Sequence, residues 1–292
     1  MLAQQLVNGL FLGAVYALFA LGYTLVFGVL DILNLAHAAI YMIAAFTAYS
    51  LVAQGLPFGA AFTGAVVLAG CVGIVLDRIA FAPLRRRNAG TLVPLISSIG
   101  AAIIIGAIAR GIYGIDERHF VEGGIASVPI HLGSVTFTAV QAIIFGTAIG
   151  LMLILSYVLR STTLGRSIRA VAQDRIAAAL LGVNIERTIS ATFFIASALG
   201  GAAGILSGIE YNAVSVDMAG SIELKGLAVI ILGGMGSITG AVIGGFVIGA
   251  VETLAVAYGL SAWRDALTFG VMFLILVARP AGIFGARALR NA

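Results

Sequence analysis

Charge is what this sequence most lacks. Asp, Glu, Lys and Arg make up 10% of its 292 residues, where a soluble domain carries about 25%. With 61% hydrophobic residues, a water-soluble fold of this chain would expose large, aggregating apolar patches. The first Lys or Arg is Arg78, so the N-terminus has no basic region of the kind that opens a cleavable leader. Cys71, inside an apolar run, is the one cysteine, which excludes an intrachain disulfide or a thiolate metal site. The histidines are His37, His119 and His131, with no metal-ligand spacing and no H-E-x-x-H. No nucleophile–base set stands out, so the chain is not expected to be an enzyme. The run Gly234-Met235-Gly236-Ser237 lacks the Lys-Ser/Thr ending of a phosphate loop. If ATP drives this protein, another chain binds it.

What is present is apolar length. Candidate spans lie at about 6–29, 36–54, 59–82, 91–113, 136–159, 188–209, 224–257 and 265–279, the seventh interrupted, against about 20 residues per crossing. A membrane barrel would show short stretches of alternating polarity instead. The expected fold is all-α: a polytopic transmembrane bundle of about eight spans, each satisfying its backbone groups internally, and a single domain over 1–292. A net charge of +4 does not indicate nucleic acid, because the basic residues sit where membrane topology needs them. The positive-inside rule places the 85–87 loop, the 160–187 loop and the tail with Arg279, Arg287 and Arg290 in the cytoplasm. The segments 114–135, 210–225 and 258–265, which hold Asp116, Glu117, Glu122, Glu210, Asp217, Glu223 and Asp265, then fall outside. The orientation of the N-terminus follows only by counting back.

Two interruptions carry no Lys or Arg: 30–37, with Asp31, Asn34 and His37, and 233–240, with Gly233, Gly234, Gly236 and Ser237. The second is too rich in glycine to make good helix. Discontinuous helices in the two halves of a membrane protein point to a substrate path, against a plain surface turn. Glycines spaced by four, at 200, 204 and 208 and at 236, 240, 244, 245 and 249, let helix backbones approach in lipid. Of the intramembrane ionisable groups, Asp77 and Arg78 read as snorkelling near a span end, and Glu252 as lying near the outer interface. Asp31 and His37 read as part of a hydrogen-bonded turn rather than a proton relay.

The 160–187 loop is amphipathic. Ile168, Ala172, Ile176, Ala179, Leu180 and Val183 share one face and Arg166, Arg169, Gln173 and Ala177 another. Gly182 is placed to stop the helix through a left-handed residue. One short surface helix is expected, either resting on anionic lipid or docked into a groove on a soluble partner.

This loop resembles the cytoplasmic coupling loop of ABC-importer permeases, with Ala177, Ala178 and Gly182 on the E-A-A-x-x-x-G pattern and Ile176 at its Glu. Leu33-Asn34-Leu35-Ala36-His37 with Tyr41-Met42, and the run 232–240, are similar to segments of the H-type (LivH-like) branched-chain amino acid permeases; Ala38 stands where those have Gly. The resemblance implies a permease subunit that binds no cofactor itself. It implies partners: a second homologous permease, two cytoplasmic ATPases that use ATP, and an extracytoplasmic binding protein, in a bacterial plasma membrane. It assigns ATPase coupling to Gly165, Arg166, Arg169, Asp174, Ala177, Ala178 and Gly182. It assigns the translocation path or gate to Asn34, His37, Gly233, Gly234, Gly236 and Ser237. The competing readings are a permease for urea, amides or aromatic acids, and an ion-coupled secondary transporter using Asp31 and Glu252.

Overall fold

The computed structural model describes residues 2–87, 89–90, 92–120, 129–132 and 135–285. Glu122, Arg287 and Arg290 of the topology argument lie outside the described residues. The helices are α1 (Leu2–Leu30), α2 (His37–Ala53), α3 (Phe58–Leu76), α4 (Ala82–Arg86), α5 (Leu92–Tyr113), α6 (Ala139–Ser161), α7 (Thr163–Gln173), α8 (Arg175–Leu180), α9 (Ile185–Glu210), α10 (Met218–Gly233), α11 (Ile238–Ala257) and α12 (Arg264–Ala278). A π-helical turn, Asp77–Phe81, joins α3 to α4 without a break. The wide turn suits Pro83, whose ring would clash with the carbonyl one regular turn back. Outside the helices, Pro129–Leu132 and Val135–Thr138 pair as an antiparallel hairpin, which the sequence pattern did not announce.

Seven helices are long and apolar enough to cross a membrane. The helices α2 and α10, of 17 and 16 residues, are shorter, and the bundle is the expected all-α polytopic one. The seventh apolar run is interrupted where expected, at 234–237, between α10 and α11.

Polar contacts fix which ends lie together. The backbone of Arg118 pairs with that of Val214, Gln4 bonds the backbone of Thr136, and Gln141 donates to Glu210. The start of α1, the hairpin and the end of α9 therefore share one end of the bundle. At the other end Arg175 donates to the Val29 carbonyl and Arg85 bonds Glu186. Arg78, Arg85, Arg86, Arg87, Arg160, Arg166, Arg169, Arg175, Arg187 and Arg279 all belong to this second, arginine-rich end.

The alternation makes α1 and α9 antiparallel, and each begins the same sequence of elements. α1 ends in a left-handed residue, Asp31, and a connection to the short helix α2; α9 ends in left-handed Asn212 and a connection to the short helix α10. α1 packs on α11, as α9 packs on α3. The chain is thus an inverted repeat, α1–α2–α3–α5 and α9–α10–α11–α12, with α6 and the α7–α8 segment inserted between. Both expected breaks, at 31–36 and 234–237, are present, and within the repeat the counterpart of 31–36 is 211–217.

α1 and α9 form the core. The buried side of α1 includes Tyr16, Phe19, Leu21 and Tyr23, as expected of a helix apolar on every side. Its contact with α11 is made of small residues. A Cβ added at Gly249 would come 2.5 Å from the Gly13 backbone, and one at Gly245 2.5 Å from Ala17. Such close backbone approach gives the van der Waals contact that holds helices together in lipid. Gly204 likewise lies against the Tyr41 carbonyl, and Gly73 against Ser197. Gly236, by contrast, has only Gly28 at 4.0 Å and belongs to a turn, not to the glycine zipper. Around this core α5, α6 and α12 expose apolar faces, among them Ile103, Ile104, Leu153, Ile154, Phe273 and Leu274, which suits contact with acyl chains.

Candidate translocation and coupling site

The expected single amphipathic helix is two. Asp174, in extended conformation, ends α7 and caps α8 by accepting from the amides of Ile176 and Ala177. This satisfies amides that have no partner within the helix and redirects the chain. The break separates residues that one helix would have kept on a common face. Ile168 and Val171 turn inward and are buried, while Ile176, Leu180 and Leu181 stand 76, 84 and 83% exposed. Gly182 adopts φ +83°, and the amide of Val183 returns to the Ala178 carbonyl, the left-handed stop expected there.

The structure sorts the residues assigned to coupling by environment. Ala178 is buried, Gly165 is buried against the end of α6, and Arg166, Arg169, Ala177 and Gly182 are exposed. Asp174 is the cap. The three large apolar side chains at the tip were not singled out for docking. Their signal is that they lie on a helix too short to bury them.

The segment is tied to the bundle at α1. Arg175 holds the Val29 carbonyl at 3.1 Å, one of the last carbonyls of α1, which lack helical partners. Behind α7 is a cavity of about 380 Å³ bounded by Thr24 and Gly28 of α1, Ser156 and Arg160 of α6, Arg169 of α7, and Gly236 with Thr239. The coupling segment and the second glycine-rich break therefore share one cavity.

That break, 234–237, is a tight turn near the arginine-rich end. Gly234 (φ +101°) and Gly236 (φ +83°) take conformations that side chains rarely adopt. Ser237 caps α11 through the Gly240 amide. The chain after α12 closes the turn: the amides of Ile283 and Phe284 donate to the carbonyls of Leu232 and Gly233 at 2.9 and 3.0 Å.

Asn34 and His37 lie elsewhere. His37, first residue of α2, is 3.3 Å from the Phe19 carbonyl, and its ring fills the space left by Gly22 and Gly200. Phe19 precedes the end of α1 by eleven residues, about 16 Å of helix. The first connection thus climbs back into the bundle, and α2 starts near mid-depth. A helix N-terminus there brings the positive end of its dipole inside the membrane, as discontinuous transporter helices do. Both polar atoms of Asn34, Nδ1 of His37, Oη of Tyr23 and Oγ1 of Thr24 are buried without a protein partner. Thr24 also lines the cavity, which links the two predicted regions through α1. Asp31 is exposed and forms no relay with His37.

Two acidic residues near span ends are also buried between helices. Asp77 is fully buried, bonded to Arg85 and to Ser190. Glu252 is 1% exposed and accepts from Lys225 at 2.6 Å, Tyr16 at 2.7 Å and Arg264 at 2.9 Å. Lys225 was missed by the sequence reading, although it lay inside a candidate span. A lysine in a run with few other charges was the available signal. Its cluster joins α1, α10, α11 and α12, and each charge has an opposite one, which offsets the cost of burial in hydrocarbon.

These features define a polytopic helical membrane permease with a helix break that opens on a cavity and an apolar segment exposed at its arginine-rich end. The family described as the permease component of branched-chain amino acid transport systems matches residues 5–276, and the chain belongs to it. It is 34% identical over 97% of its length to the high-affinity branched-chain amino acid transport system permease protein LivH of Escherichia coli (strain K12), covering 95% of that protein. It is 32% identical to the corresponding permease protein BraD of Pseudomonas aeruginosa, with the same coverage. The autoinducer 2 import system permease protein LsrC of an Enterobacter strain is 32% identical over 42% of this chain and 38% of its own.

Proposed function

We propose that this chain is the transmembrane permease subunit of an ATP-driven importer that moves branched-chain amino acids into a bacterial cytoplasm. The observation that carries the mechanism is the exposed tip Ile176, Leu180 and Leu181 on a segment bonded to the end of α1 and walling the break cavity. Solvent-exposed leucines at a helix end are unfavourable unless a partner covers them. The partner is an ATPase dimer, one subunit against this chain and one against a second homologous permease. ATP is bound there and not by this chain. Closure of the ATPases pulls on α7–α8, and the Arg175–Val29 bond transmits the displacement to α1. α1 carries Thr24 at the cavity and Phe19 at the His37 slot, so the two states exchange access along it. The arginine-rich end faces the cytoplasm, with the C-terminus, and the N-terminus lies outside. An extracytoplasmic binding protein delivers and selects the cargo.

Similarity over the whole chain to LivH and BraD supports branched-chain amino acids over urea, amides or aromatic acids. Ion coupling through Asp31 and Glu252 has no support in the geometry, since Asp31 is exposed and Glu252 is held by three donors. The test is Leu180→Glu with Leu181→Glu in cells carrying the whole system. Membrane insertion should be normal, ATPase co-purification lost, and leucine uptake reduced at least tenfold. Retained ATPase and uptake would refute the coupling role. Uptake of labelled urea or benzoate in preference to leucine would refute the cargo.

A further inference from the structure

A second, larger cavity of 740 Å³ opens at the arginine-rich end, away from the break. It lies between the end of α3 with α4 and the start of α9. Arg78, Arg86 and Arg187 line its mouth, and Ala191, Phe194 and Ile195 its wall. The function derived above uses none of these residues.

The charges are unevenly matched. Arg85 is neutralised by Asp77 and Glu186, and Glu186 is the carboxylate that lines this cavity. Among the described residues, Arg78, Arg86 and Arg187 form no ion pair. Three arginines thus line one cavity whose carboxylate, Glu186, is already engaged by Arg85. Guanidinium is the side-chain group best suited to bidentate phosphate recognition.

The apolar part continues past the charges. Val67 and Cys71, on the same face of α3 as the cavity-lining Ile74 and Arg78 and further from the arginine-rich end, are exposed. An occupant must therefore be anionic at the membrane surface and apolar for many ångströms below it. A phosphate alone leaves the wall exposed, and a soluble acidic peptide does not reach the α3 surface inside the bilayer.

We infer that the Arg78–Arg86–Arg187 groove binds an anionic phospholipid, its phosphate on the arginines and one acyl chain along α3. Basic pockets between helices on this side of membrane proteins have that chemistry. The lipid seats between α4 and α9, beside Leu164 of the coupling segment.

The experiment is native mass spectrometry of the purified complex released from bilayer discs of equal phosphatidylglycerol and phosphatidylcholine. The wild type should retain phosphatidylglycerol in preference to phosphatidylcholine. The triple variant Arg78→Gln, Arg86→Gln, Arg187→Gln should lose that preference, while Arg87→Gln, one residue away and outside the groove, should keep it. Ala191→Trp fills the wall without changing charge and should also expel the lipid. Retention in the triple variant would overturn the site. Retention in Ala191→Trp would show diffuse charge attraction and overturn the groove. Loss of the ATPases with the lipid retained would make the arginines a protein-docking surface and overturn it equally.

Discussion

Asp31 and Asn212 hold the same left-handed backbone, φ 55° and 45°, just beyond the ends of two antiparallel core helices. They are the two non-glycine residues that do so among the described residues. Asp and Asn are the side chains that tolerate this region best, through local hydrogen bonding. Each turns the chain back into the bundle so that a short helix can start below the surface. Asn212→Val should cost about 1–2 kcal/mol, the usual penalty of left-handed backbone at a residue unsuited to it, and Asn212→Gly should cost less. Thermal unfolding in detergent measures both; equal melting temperatures would contradict the turn's role.

The α1–α11 contact has no room for a side chain. Gly249→Leu forces atoms into the Gly13 backbone, an overpacking worth about 1–3 kcal/mol or more. It should yield aggregated protein on size-exclusion chromatography. Gly146→Leu, on α6 with nothing within 4 Å of its added Cβ, should remain monodisperse.

The Lys225–Glu252 pair tests the balance of buried charge. Lys225→Met leaves Glu252 with only Tyr16 and the half-exposed Arg264 and should destabilise by about 3–5 kcal/mol. The double variant Lys225→Met, Glu252→Leu should recover most of that loss, since removing both charges removes the burial cost. A double variant as unstable as the single one would show that packing, not charge, decides.

The turn at 234–237 depends on the chain that follows α12. A Cβ at Gly234 would sit 2.4 Å from the Gly285 amide nitrogen, at φ +101°. Gly234→Leu should therefore release 282–285 and expose this segment to limited proteolysis, with leucine uptake lost. Unchanged cleavage would separate the tail from the turn.

Within the coupling segment, burial distinguishes two kinds of loss. Ala178→Glu, at a buried position, should lower the yield of folded protein as well as transport. Leu180→Glu, at an exposed one, should leave yield and melting unchanged and reduce transport alone. Yield and uptake measured on the same membranes separate them.

The sequence by itself determined the class. Low charge and long apolar runs leave only helices that satisfy their own backbone in lipid. The arginine clusters marked one end, the left-handed stop at Gly182 was legible, and so were both breaks, because glycine and polar residues interrupt an apolar pattern. The tertiary structure decided what periodicity cannot express. Asp174 splits the coupling segment because a side-chain cap competes with helix continuation. Asp77 and Glu252 are buried between helices because Arg85, from the short helix after the π turn, and Lys225, from a different helix, reach them. The inverted repeat is carried by two φ angles and by which helices touch, and neither leaves a periodic trace. Connections 31–36 and 211–217 share no obvious residue pattern, yet both return the chain into the bundle, since depth in a membrane is set by packing against α1 and α9.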